Sequence, residues 1–101
     1  MFSGGTYHEV ERWLRNFITA HAKRVDPCLE VVFDRDDGRE GTSYGVRLRL
    51  GHRLAPTLEL GFREVADNRG TLAWCATLAE HVKRLAREFI ADGAVADASP
   101  R

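Results

Sequence analysis

The sequence predicts an α+β fold, a two-layer α-β-β-β-α domain whose three-stranded antiparallel meander carries both helices on one face. Three observations predict it. Apolar residues recur with a helical period near the N-terminus, alternate through three middle stretches, and return to a helical period near the C-terminus. An Asp37-Gly38 dipeptide, the preferred pair for a two-residue hairpin turn, separates the first two alternating stretches. One apolar side per strand and one stripe per helix are all buried if both helices cover the same sheet face. The expected organisation is a lead-in over residues 1–5, a single domain over 6–92 and a frayed tail over 93–101.

The first helix is expected to open at Thr6-Tyr7-His8-Glu9, a capping box in which Thr6 and Glu9 satisfy each other's backbone amides. Its core stripe reads Val10, Trp13, Leu14, Phe17 and His21, with Glu11, Arg12 and Arg15 on the other sides. Asp26-Pro27 ends it, because a residue before proline is pushed out of the helical region. Leu29, Val31 and Phe33 then alternate inward. A tight turn at Asp37-Gly38 pairs Asp36 with Arg39, Phe33 with Thr42 and Val31 with Tyr44. The second strand continues through Leu48 and Leu50, residues 51–56 turn the chain, and a third strand is expected over Thr57–Arg63. That parity sets Glu59 opposite Arg47 or Arg49. The turn Asp67-Asn68-Arg69-Gly70-Thr71 leads into a last helix from Leu72, expected to stop near Asp92-Gly93.

Composition narrows the functional classes. At 101 residues the chain suffices for one core without metal or disulfide support. Lys and Arg balance Asp and Glu at a formal net charge of zero, which disfavours nucleic-acid and membrane-surface binding and eases self-association. Cys28 and Cys75 are far apart and in no metal-binding spacing, so they read as reduced thiols of a cytoplasmic protein. There is no leader pattern and no apolar run of membrane-spanning length. Arginine supplies nearly all the cations, which fits a GC-rich bacterial genome.

No spacing points to a catalytic residue, a cofactor or a metal. His8, His21, His52 and His81 fall on different elements, no Gly-x-Ser-x-Gly elbow occurs, and no glycine-rich phosphate loop opens a helix. Counting back from Gly38 gives Asp37, Arg35 and Phe33, which fails the calcium-loop pattern. Two surfaces remain. The uncovered sheet face and the flank of the last helix offer Val32, Arg47, Arg49, Glu59, Arg63 and Trp74 as partner contacts. His81, Lys83, Arg84 and Arg87 form a basic stripe that could meet an anion.

The α-β-β-β-α order resembles the double-stranded RNA-binding domain in topology. That resemblance implies RNA contacts from the first helix, the first hairpin loop and cations opening the last helix. Here the hairpin loop carries Asp36 and Asp37, and the last helix opens with Leu72 and Ala73. The residues therefore point first to a non-catalytic interaction domain that forms a homodimer or binds a protein partner. RNA binding is the alternative. A small-ligand site near His52, Trp74 and His81 is the second.

Overall fold

The structure is a computed structural model that describes residues 6–34 and 38–98, with side chains through Asp92. Its elements are α1 (Tyr7–Val25), β1 (Glu30–Asp34), β2 (Ser43–Leu50), β3 (Arg53–Leu54), β4 (Leu58–Gly61), α2 (Phe62–Asn68) and α3 (Leu72–Ala98). The capping box forms as expected. Thr6 Oγ1 accepts from the Glu9 amide at 3.2 Å and Glu9 Oε1 accepts from the Thr6 amide at 2.9 Å. At the other end Asp26 is extended, and its carboxylate accepts from the Cys28 amide at 2.8 Å. Thr6→Ala is expected to lower stability by about 1 kcal/mol, read as a shift in the urea midpoint at constant slope.

The buried stripe of α1 is Val10, Glu11, Leu14, Ile18 and Ala22, so the helix is rotated from the expected face. Trp13 and Phe17 stack with ring centroids 5.0 Å apart and flank the core rather than filling it. The rotation lets two aromatic rings too wide for the seam shield its edge, while Ile18 and Ala22 occupy the centre. Glu11 is carried inside by the same turn and is met there by Arg15 Nη2 at 3.3 Å.

In the first hairpin Phe33 opposes Val46, Val31 opposes Leu48 and Asp34 opposes Gly45. The expected register is therefore wrong by four residues, and Asp37 lies outside the described residues. The physical reason is a wider loop. The amides of Thr42 and Ser43 both donate to the Arg39 carbonyl, at 2.8 and 3.0 Å, and Gly41 takes a φ of +76° that suits glycine. Asp36 lies outside the described residues, and the carboxylate that meets Arg39 is that of Glu59. Because the slip is an even number of residues, every side chain keeps the face its alternation assigned.

The tight turn of this sheet lies elsewhere. Gly51-His52 joins β2 to β3, with Leu50 opposite Arg53, and Gly51 supplies the positive φ of +65°. The third long strand is shorter than expected. β4 pairs Tyr44 with Leu60 and Gly45 with Glu59, so Glu59 does not face Arg47 or Arg49. Phe62 and Arg63 open α2 instead of ending a strand. The Phe62 amide closes the ladder on the Thr42 carbonyl, and burial of the adjacent Val65 and Ala66 then requires a helical turn.

β2 is central, with β1 on one edge and β3 and β4 sharing the other, so the antiparallel meander holds with one extra short strand. The helices pack on one side of it. α3 lies chiefly along α1, where Ala22 and Ala86 are fully buried and allow close approach. It continues past Gly93 to Ala98, since Ala91, Ala94, Ala96 and Ala98 outweigh the roughly 1 kcal/mol cost of one helical glycine. Among the described residues no helix is long and apolar enough to cross a membrane.

Candidate binding cleft

The uncovered sheet face brings together Val32, Arg47, Arg49 and Glu59, as their strand parity requires. It does not include Arg63, which sits on α2, or Trp74, which is half-buried in the first turn of α3. The charges on this face are already met within the chain. Arg49 Nε donates to Glu30 at 2.8 Å, and Arg47 Nε donates to the Ala55 carbonyl at 3.0 Å. Arg39 lies over Gly45 and bonds both oxygens of Glu59, which also accepts from Ser43 Oγ at 2.7 Å. These hydrogen bonds hold the Glu59 carboxyl below its ordinary pKa.

Gly45 makes that clamp possible, since a Cβ there would come within 2.7 Å of Arg39 Nε. In Gly45→Ala the guanidinium is expected to lift off, and the Glu59 pKa to rise toward the ordinary glutamate range by carboxyl NMR titration. An unchanged titration would show that Arg39 holds Glu59 without the glycine.

Two hydroxyl–carboxylate pairs lie on this face, Ser43 with Glu59 and Thr57 with Asp34 at 2.8 Å. Each carboxylate is also near an arginine, Arg39 on Glu59 and Arg47 Nη1 at 3.9 Å from Asp34. A carboxylate so engaged is a poor general base. The arrangement is that of a closed polar surface.

A concave feature lies on the other face, where α3 leans on α1 and stands off the sheet. The gap is a cleft of about 240 Å³. Its floor is Ile18, Val46, Leu48, Val82 and Phe89, one lip is the Ala55–Leu58 segment, and the other is His81, Leu85, Glu88 and Asp92 of α3. Successive helical residues are rotated by about 100°, so positions 81, 85, 88 and 92 fall along one side of the helix. Arg53 braces this end of the cleft. Its guanidinium lies 4.4 Å from the Phe89 ring centroid and donates to the Phe89 carbonyl at 2.6 Å.

Of the residues named for a ligand site, His81 lines the cleft and His52 and Trp74 do not. Glu88 and Asp92 went unnoticed in the sequence, although their spacing from His81 and Leu85 was a visible signal. The basic stripe does not converge. His81 Nδ1 receives Arg84 Nη2 at 3.1 Å, Lys83 Nζ meets Glu80 at 3.2 Å, and Arg87 is exposed. No group of three or more His, Cys, Asp or Glu among the described residues could hold a metal ion.

His21 sits at the α1–α3 seam, 4.6 Å from the Phe17 ring, and its buried Nδ1 has no hydrogen-bond partner among the described residues. Burial lowers its pKa, Lys83 and Arg24 lower it further, and Glu80 opposes them. The folded pKa therefore lies below the unfolded value of 6.5. The unfolded chain binds the proton first as pH falls, so this contribution is complete above that value and is lost on acidification toward the folded pKa. His21→Phe is expected to flatten the fall in thermal midpoint between about pH 7.5 and 5.5. An equal slope in both proteins would assign the acid sensitivity to other groups.

No family model, no curated protein and no solved structure matches this chain.

Proposed function

We propose that this protein is a non-catalytic binding domain whose site is the cleft between α3 and the sheet, taking a small, largely apolar ligand. The observation that carries this is the cleft itself: about 240 Å³, walled mainly by aliphatic side chains and Phe89, with its charged groups on the α3 lip and Thr57 on the other. Small-molecule sites combine an apolar cavity with a few placed polar groups in this way. The size suits a compact ligand rather than an extended one.

Titration of the ¹⁵N-labelled protein with neutral aromatic and aliphatic fragments tests the reading. Shifts centred on Val46, Leu58 and Leu85 are expected, at affinities of about millimolar for fragments of this size. Leu85→Phe, which fills the cleft from α3, is expected to abolish them while leaving the fold intact. Fragments that shift no cleft residue at saturating concentration would overturn the proposal.

A second reading, self-association or docking of a protein partner, is favoured by Leu72. This side chain is 88% exposed at the start of α3, beside the half-buried Trp74. Isolated exposed leucines are common, but one flanked by tryptophan is a fit anchor for an interface. Sedimentation should show a dimer at high micromolar concentration that Leu72→Asp dissociates, and a strict monomer would refute it. The paired charges of the outer sheet face support that face less as the interface. RNA binding draws least support, because Lys83 and Arg84 already have partners and the helix opening lacks cations. The free thiols of Cys28 and Cys75 are in keeping with a cytoplasmic setting.

A further inference from the structure

We propose that the ligand of this cleft is an amphiphilic cation, an apolar body bearing an ammonium group that docks on Glu88 and Asp92. The inference rests on the cleft being a binding site and concerns what its lip selects. Glu88 and Asp92 are one helical turn apart, exposed, and without a partner among the described residues. Like charges at this spacing destabilise a helix. No direct ion pair among the described residues offsets that cost at contact range, whereas a bound cation would.

The neighbouring cations are already engaged. Arg53 is held by the carbonyl and ring of Phe89, and Arg84 by His81 Nδ1. Guanidinium only donates, so Nδ1 accepts and the imidazole proton sits on Nε2. The formal charges of the two arginines and two carboxylates cancel at a distance, so the selection acts at contact range, where screening is weakest. At that range the open hydrogen-bonding capacity of the lip is dominated by carboxylate oxygens. An ammonium has three donors to give them, an alcohol has one, and a carboxylate would be repelled.

Three isosteric probes separate the possibilities: benzylamine, benzyl alcohol and benzoate, each titrated by NMR into the wild-type protein and into the E88Q/D92N double variant. Benzylamine is expected to bind about five-fold more tightly than benzyl alcohol, with benzoate weakest, the gain of a partly exposed ion pair. In the double variant the amine is expected to lose that advantage while the alcohol binds as before. Equal binding of amine and alcohol to the wild type, or a preference for benzoate, would overturn the cationic ligand and leave the cleft as a site. Failure of all three probes to shift cleft residues would remove the cleft reading itself, and this proposal with it.

Discussion

Tyr44→Ala is expected to destabilise the protein by about 3–5 kcal/mol, the range for truncating a fully buried aromatic side chain. Tyr44 is 1% exposed at the junction of α1, β2 and α2. Its ring stacks on Tyr7 at 4.6 Å and meets Phe33 and Phe62 edge-on at 6.1 and 6.4 Å. Both tyrosine hydroxyls also donate across the sheet–helix boundary. The Tyr44 hydroxyl donates to the Tyr7 carbonyl at 2.7 Å, and the Tyr7 hydroxyl donates to the Ser43 carbonyl. Tyr44→Phe keeps the ring and loses one bond, so about 1 kcal/mol is expected. Denaturant unfolding of both variants checks the split. A Phe variant as damaged as the Ala variant would make the hydroxyl, rather than the ring, the main contributor.

The same hydroxyl adds an alkaline limit. Burial, followed by Tyr7 and Glu11, pushes the Tyr44 pKa well above its ordinary value of 10.0. A raised folded pKa means that the folded state holds the proton more tightly. The contribution is complete below about pH 10 and is lost as pH climbs from there toward the folded pKa.

The second large effect is a contrast between adjacent positions on α3. Ala86 is fully buried where α3 crosses α1, opposite space already taken by Ala22 and its neighbours. Ala86→Leu is expected to force the helices apart at a cost of about 1–3 kcal/mol, and more if they cannot shift. Leu85 faces the cleft, so Leu85→Phe adds similar bulk into open volume and is expected to leave stability within about 0.5 kcal/mol. Thermal and urea unfolding of the pair check this directly. Equal losses at both positions would mean that α3 does not stand off the sheet as described.

The local signals in the sequence were reliable where a few neighbouring residues decide the outcome. Thr6 with Glu9 opens α1 and Asp26-Pro27 closes it, because capping and the pre-proline restriction act within one turn. The faces of β1 and β2 were also legible, since alternation survives an even slip. The register itself was not, because hydrogen bonds to the Arg39 carbonyl outcompete the tight turn that Asp37-Gly38 favours. α2 was hidden by Phe62, which continues the strand alternation while also beginning a helical one. Glu11 was placed outside because a charged residue ordinarily belongs there, and its burial depends on the rotation of the whole helix. The cleft could not be read at all. It arises from how far α3 stands from β2 and β4, a distance that no local pattern encodes.

The pairing of α1 with α3 has a consequence for how the chain is made. α1 leaves the ribosome before the sheet, yet it finds its main partner only in α3, after every strand has emerged. Until then α1 can pack on β1 and α2, but the side of it that meets α3 stays open, and its closure must span nearly the full fold. A chain halted before residue 82 would thus leave the α3-facing side of α1 uncovered and prone to aggregation.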